Sequence, residues 1–116
     1  MEQRDFPALA ATALAQIEQT LEAWLDADAA DFDFELKGDG VIEIDCSAGG
    51  KIIVNRHLAA GEIWLAARSG GFHFRPSGEE AVRWLDTRSG EELMQMLANC
   101  LGQQCGTTLK LSAAES

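Results

Sequence analysis

The side chains in this chain that could most readily do chemistry are carboxylates, and they are concentrated near its start. Residues 1–45 contain twelve Asp and Glu but only two basic residues, Arg4 and Lys37. This segment therefore carries the whole net charge of −10, because residues 46–116 contain seven residues of each sign. A concentrated negative surface attracts cations or a basic partner and repels nucleic acid and anionic membranes.

Six of these acids have spacings that would place them on common faces, and Asp28 lies at the predicted end of the helix. Three recur every fourth residue on one stripe of a predicted helix, where like charges cost about 0.2–0.5 kcal/mol per pair. Others alternate with apolar residues along the following strand. A sequence optimised for stability alone would interleave lysines there. Glu35 follows Asp33 on the same strand face. We define the acidic ridge as Glu18, Glu22, Asp26, Asp28, Asp31 and Asp33.

The acidic ridge has two interpretations from the residues alone. Carboxylates without His or Cys are hard oxygen ligands and suit Ca²⁺, Mg²⁺, Mn²⁺ or Fe²⁺, and ligands spread along a helix and a strand predict weak, well-hydrated sites. A partner-binding surface is equally compatible with this charge. The alternative is a solvated face that also protects an edge strand from aggregation.

A second group of residues follows from strand parity. If Ile and Val residues of three central strands face the core, then Asn55, Trp64 and His73 share the opposite face of the sheet. An exposed Trp on a strand is typical of a binding anchor, although a half-buried aromatic and a plain surface histidine are the alternatives. His57 is predicted to lie in a loop, with no motif around it.

Other classes of site have no support in the sequence. No nucleophile–base arrangement, phosphate-binding loop or zinc spacing is visible. The chain has an odd number of cysteines and no C-x-x-C motif, which argues against a disulfide framework, a zinc site or a redox pair. The three cysteines are Cys46, Cys100 and Cys105. No apolar run approaches the roughly 20 residues of a membrane span. The first residues lack the features of a signal peptide, so we expect a cytoplasmic protein.

The elements that must position these residues are two helices and a set of short strands. Apolar residues at helical spacing predict a first helix from Phe6 to near Asp26, and Ser89 with Glu92 predicts a capping box for the second. Alternating segments joined by short turns lie between them. We expect one α+β domain over residues 1–116. Its predicted architecture is a two-layer α/β sandwich, with both helices on one face of a mainly antiparallel sheet of five to six strands.

Three consecutive segments carry a resemblance to a known family. Gly50–Arg56, Glu62–Ala66 and Ser69–Phe74 are similar, in order and spacing, to the central block of the frataxin family in its short bacterial form. The resemblance covers about residues 5–109 and implies an α-β-sheet-α sandwich. The sequence departs from the family's usual pattern at His57 and at Glu62, where the family usually has glutamine.

The resemblance implies a role in iron–sulfur cluster assembly. Family members bind iron (Fe²⁺ or Fe³⁺) weakly, and they bind the cysteine desulfurase and the iron–sulfur scaffold protein. In this chain, the oxygen-only ligand set also predicts that other divalent cations compete. By position, the implied iron ligands are Glu18, Glu22, Asp26, Asp28, Asp31 and Asp33. The implied partner contacts are Asn55, Trp64 and His73.

These expectations combine into one leading hypothesis. The protein is a non-enzymatic iron donor, iron sensor and regulator of the desulfurase–scaffold complex, and a monomer that metal could drive into an oligomer. One alternative is a ferroxidase or iron-storage protein, which would need a compact carboxylate and histidine centre. The other is an acidic protein-interaction module without a role in iron binding.

Overall fold

Two helices and six strands make up the part of the chain that the structure describes. The computed structural model describes residues 6–27, 31–38, 40–46, 49–78 and 82–105. The ridge residue Asp28 lies outside these ranges. The elements are α1 (Phe6–Asp26), β1 (Phe32–Leu36), β2 (Val41–Cys46), β3 (Gly50–His57), β4 (Glu62–Ala67), β5 (Gly70–Ser77), β6 (Arg83–Asp86) and α2 (Leu93–Cys105).

The strands form one antiparallel meander in which spatial order follows chain order, β1-β2-β3-β4-β5-β6. The predicted α+β class and the packing of both helices on one face of the sheet are confirmed. Short turns suffice because every neighbouring pair is antiparallel. Among the described residues, no helix is long and apolar enough to cross a membrane.

The core lies between the helices and the covered face of the sheet. Helix α1 contributes residues spaced three or four apart, including Ile17 and Leu21, while α2 contributes Leu97 and Leu101. The strands contribute every second residue, as expected for a sheet with one buried face. The buried strand residues are Phe32, Ile42, Ile44, Cys46, Ile52, Val54, Ile63, Leu65, Phe74 and Trp84.

Burial of the covered-face side chains decreases along strand β1. The predicted alternation puts Phe32, Phe34 and Leu36 on the covered face. Phe32 is buried and Phe34 half-buried, but Leu36 is 54% exposed. Leu36 is the last residue of an edge strand, so the helix layer no longer covers it there.

The predicted capping box at Ser89 is wrong. Helix α2 begins at Leu93, after the Leu85–Glu92 bridge, and Ser89 belongs to the preceding turn. Its backbone N–H and hydroxyl both donate to Asp86 Oδ2, at 2.9 and 2.8 Å. Burial has the largest single effect on the pKa of Asp86 and raises it. The hydrogen bonds to this carboxylate, led by those from Ser89, together outweigh burial, so the pKa of Asp86 is lowered. Ser89 therefore hydrogen-bonds to the Asp86 carboxylate instead of capping the N-terminus of α2.

Gln104 provides a polar anchor within an otherwise apolar helix–sheet interface. Its buried side chain accepts from the backbone N–H of Arg68 at 2.9 Å and donates to the carbonyl of Gly49 at 3.1 Å. The Arg68 guanidinium also donates to the Gly49 carbonyl. These bonds tie the last turn of α2 to the residues before β3 and to the β4–β5 turn.

Gly49 is predicted to tolerate no side chain, because a Cβ there would lie 1.9 Å from the backbone oxygen of Gln104. Gly49→Ala should lower the free energy of unfolding by about 1–3 kcal/mol or more, since backbone on both sides must move. Gly71→Ala is the matched control, because its Cβ would meet nothing within 4 Å. Urea denaturation of both variants measures the difference. Equal stability in the two variants would show that the α2 anchor is not tightly packed.

Candidate functional site

The acidic ridge lies mostly on exposed surface of α1 and β1. Glu22 and Asp26 are exposed, while Glu18 is half-buried on the same helix. Asp31 immediately precedes β1, and Asp33 projects from its uncovered face. In the residues that the structure describes, no group of three or more His, Cys, Asp or Glu side chains is arranged to hold a metal ion. The described ridge therefore offers separate carboxylates rather than a preformed centre.

The β1–β2 hairpin carries two pairs of opposed acids on its uncovered face. Asp33 lies opposite Asp45, and Glu35 lies opposite Glu43 in the antiparallel register. Like charges directly opposite each other destabilise a sheet. Strand parity could have identified Asp45 as a neighbour of the ridge, but only once the hairpin register was known.

Both acid pairs have a lysine nearby, since Lys51 lies opposite Asp45 in the β2–β3 register, but the two shortest lysine contacts are made by Glu43. Lys37 Nζ lies 2.8 Å from Glu43 Oε1, and Lys51 Nζ lies 2.9 Å from Glu43 Oε2. The hydrogen bond from Lys37, followed by that from Lys51, lowers the pKa of Glu43, and the pKa of each lysine rises in return. Lysines are thus interleaved with the acids across the strands, although the order along the chain places only Lys37 among the hairpin acids.

The second group of residues forms a row on the uncovered face of the sheet. Asn55 pairs with Trp64 across β3 and β4, and Trp64 pairs with His73 across β4 and β5, as strand parity predicted. Trp64 is half-buried rather than fully exposed. The geometry therefore brings the three predicted contact residues together, and their role stays a prediction.

Trp64 is held between two histidine rings. Its ring centroid lies 4.1 Å from that of His57 and 4.4 Å from that of His73, with interplanar angles of 11° and 9°. His57 ends β3, so its predicted loop position is wrong. The backbone N–H of Ala60 donates to His57 Nδ1 at 3.2 Å and orients the ring. The indole ring is therefore packed on both of its faces on the uncovered side of the sheet.

Glu62 organises the edge of this stack. Its carboxylate accepts from Trp64 Nε1 at 2.7 Å and from Arg75 Nε at 2.8 Å, and it lies 3.5 Å from His73 Nδ1. The hydrogen bond from Arg75, then that from Trp64, lowers the pKa of Glu62 below its ordinary value of 4.5, against the opposing effect of burial. Glu62 is buried although it lies on the uncovered face.

Sequence reasoning did not assign Glu62, Arg75 or His57 to the site. One signal was available for Glu62, because residues two apart on a strand share a face and Trp64 follows it at that spacing. The equivalent signal for Arg75 is its spacing from His73. His57 gave no such signal, since its place depends on where β3 ends.

A shallow depression adjoins the stack. It has a volume of about 440 Å³ and is lined by Glu62, Arg75, Pro76, Ser77, Leu85 and Thr87. Two of these lining residues, Glu62 and Arg75, are already paired with each other. The depression therefore extends the uncovered face rather than forming a separate enclosed site.

Two of the three cysteines are in contact, although their spacing along the chain gave no sign of a pair. Cys105 Sγ, at the end of α2, lies 3.1 Å from Cys46 Sγ, at the end of β2. The two residues are 59 positions apart, so no local motif could reveal the pair. Cys100 is separate and its Sγ lies 3.8 Å from Ser69 Oγ.

Comparisons with known proteins agree with this architecture. The family model described as Frataxin-like domain matches residues 1–107. The chain is 50% identical over 111 residues to the iron-sulfur cluster assembly protein CyaY of Dechloromonas aromatica, covering 96% of this chain and 99% of that one. It is 47% identical to the protein of the same name from Cupriavidus pinatubonensis, covering 96% of each chain.

Solved structures show the same fold at lower sequence identity. A frataxin from Psychromonas ingrahamii superposes with a TM-score of 0.71 at 24% identity, covering 90% of this chain and 95% of that one. The trimeric frataxin of the yeast Saccharomyces cerevisiae, solved in complex with ferrous iron, superposes with a TM-score of 0.68 at 24% identity, covering 92% and 91%.

Glu62 should make stability depend on pH in a defined direction. Because its folded pKa is below 4.5, its contribution is complete above about pH 4.5 and is lost as the pH falls through the folded value. Glu62→Gln should therefore lower the melting temperature more at about pH 7 than at about pH 3. Glu22→Gln, which removes one charge from the exposed face of α1, is the control. Thermal melts that showed the same loss at both pH values for Glu62→Gln would contradict this assignment.

Proposed function

Because the chain belongs to the frataxin-like family, we propose that it is an iron-binding protein of iron–sulfur cluster assembly. The assembly role follows the names of relatives at about half identity that cover nearly all of both chains. The observation that carries the iron-binding part is the one-sided set of exposed carboxylates on α1 and the β1–β2 hairpin. We place this role in the cytoplasm, in keeping with these bacterial relatives.

Iron in this proposal is a cargo held weakly by the acidic ridge. Carboxylate oxygens are hard ligands that suit Fe²⁺ and Fe³⁺ as well as Mn²⁺, and exposed side chains that are not preassembled leave much of the ion's water in place. Asp33 and Asp45 are the best-placed pair, since directly opposed side chains have Cβ atoms about 4.5–5.5 Å apart. A cation between them would also relieve their mutual repulsion.

The two acid pairs of the β1–β2 hairpin offer a matched test of this assignment. Asp33→Asn with Asp45→Asn should raise the melting temperature by a few degrees and weaken Fe²⁺ binding, because it removes an opposed like-charge pair. Glu35→Gln with Glu43→Gln removes the same charge but breaks the contacts of Lys37 with both glutamates and of Lys51 with Glu43, so it should lower the melting temperature and leave Fe²⁺ binding nearly unchanged. Anaerobic titration calorimetry and thermal melts measure both effects.

The same titration decides between weak and specific metal binding. Co²⁺ and Mn²⁺ should compete with Fe²⁺ at overlapping carboxylates. A single tight site, or equal Fe²⁺ affinity in both double variants, would contradict the ridge assignment. Oxygen consumption after anaerobic Fe²⁺ loading distinguishes the proposed non-enzymatic role from a ferroxidase.

We propose two partner surfaces, which differ in their physical basis. The acidic ridge suits a basic surface of the cysteine desulfurase, and such a contact weakens as salt screens exposed charges beyond about 10 Å at 0.1 M. The row of Asn55, Trp64 and His73 suits the scaffold protein, because a rigid, half-exposed aromatic is a typical binding anchor. Regulation of desulfurase turnover would use both surfaces at once. We propose a monomer as the working form, with metal-driven oligomers as the alternative.

Trp64 should serve binding more than folding. Trp64→Ala should cost about 1–2 kcal/mol of stability, because it loses ring stacking and one hydrogen bond but opens no core cavity. Trp84→Ala is the matched stability control on the covered face, where Trp84 is 6% exposed, and it should cost about 3–5 kcal/mol. The affinity of Trp64→Ala for the desulfurase–scaffold complex should fall at least about tenfold.

Measurements at low and high salt test the two surfaces separately. The loss caused by Trp64→Ala should be similar at both, whereas the loss caused by neutralising ridge acids should shrink at high salt. Desulfurase turnover, with zero and saturating Fe²⁺, reports the regulatory consequence. A Trp64→Ala protein that is as unstable as Trp84→Ala yet binds normally would show that Trp64 is structural.

A further inference from the structure

The contact between Cys46 and Cys105 joins the end of β2 to the end of α2. Their sulfur atoms lie 3.1 Å apart, and a disulfide requires about 2.05 Å, so closure needs an approach of only about 1 Å. Both cysteines are free thiols in the structure. The Gln104 anchor sits one residue before Cys105 and fixes the last turn of α2 against the sheet. The pair is therefore held in place by its surroundings.

The two thiols differ in accessibility. Cys46 is 1% exposed, whereas Cys105 is half-buried at the last described position of α2. Burial, followed by the neighbouring Cys105, raises the pKa of Cys46 to about 12. A small oxidant can therefore reach Cys105 first, with Cys46 placed behind it as the resolving thiol.

We propose that Cys46 and Cys105 form a peroxide-sensitive site that closes to an intramolecular disulfide. The Cys105 sulfur attacks one oxygen of hydrogen peroxide, the O–O bond breaks, and Cys105 becomes a sulfenic acid while one water leaves. The Cys46 sulfur then attacks the Cys105 sulfur, the S–O bond breaks, and the second water leaves. Two thiols are oxidised by two electrons and one peroxide is reduced to two waters.

The disulfide would act on the strand edge that carries the acidic ridge. Cys46 lies opposite Phe32 in the β1–β2 register, and Cys105 Sγ lies 3.8 Å from the backbone oxygen of Asp31. Closure would link α2 covalently to the hairpin that presents Asp33 and Asp45. This proposal does not depend on iron binding, and its test uses metal-free protein.

The test treats metal-free protein with hydrogen peroxide and measures intact mass, free thiols and cross-linked peptides. The native chain should lose about 2 Da, and its thiols should fall from three to one, with the remaining thiol on Cys100. Peptide mapping without reductant should give a Cys46–Cys105 link. The melting temperature should rise by at least about 5 °C and return after reduction, because the link closes a long loop.

Single variants separate this site from general thiol oxidation. Cys100→Ala should still form the link, whereas Cys105→Ser and Cys46→Ala should not, with circular dichroism used to confirm that each is folded. The proposal is overturned if peroxide drives Cys105 to sulfinic or sulfonic acid without a link. A predominant Cys46–Cys100 link, an intermolecular dimer, or a 2 Da loss that persists in Cys105→Ser would also overturn it.

Discussion

Helices cover only one face of the sheet, and most of the molecule follows from this constraint. Every strand must then alternate between residues that suit an apolar interior and residues that suit water. Ile52 and Val54 are buried, while Lys51 and Asn55 beside them face the other way. The same alternation across β4 buries Ile63 and Leu65 and turns Trp64 outward. The uncovered face is thus free to carry charge and aromatic rings without cost to the core.

The uncovered face is divided into two regions that differ in how their charges are balanced. Around Trp64, the groups satisfy each other, since Glu62 accepts from both Trp64 and Arg75 and the histidines stack on the indole. On the β1–β2 hairpin, Asp33 and Asp45 oppose each other while Glu43 binds two lysines. The contacts around Trp64 hold that region in one arrangement. On the hairpin, Asp33 and Asp45 retain a mutual repulsion that a cation or a basic partner would relieve.

Short-range pattern predicted most of the fold and part of the site. Helical spacing located α1, and strand parity placed Asn55, Trp64 and His73 in one row before any register was known. Failures occurred where a distant residue decided the outcome. Ser89 hydrogen-bonds to Asp86 instead of capping α2. His57 stacks on Trp64 because β3 extends as far as His57. The Cys46–Cys105 contact depends on the docking of α2, which no local pattern encodes.

The meander also has a consequence for how the chain acquires its structure during synthesis. Because each strand pairs with the one before it, hairpins can add one after another as the chain leaves the ribosome. Helix α1 is available early to cover part of the sheet, but α2 is synthesised only after all six strands. Until then, the apolar surface that will meet Leu97 and Leu101 stays uncovered. The nascent chain therefore has its greatest need of protection from aggregation just before α2 emerges.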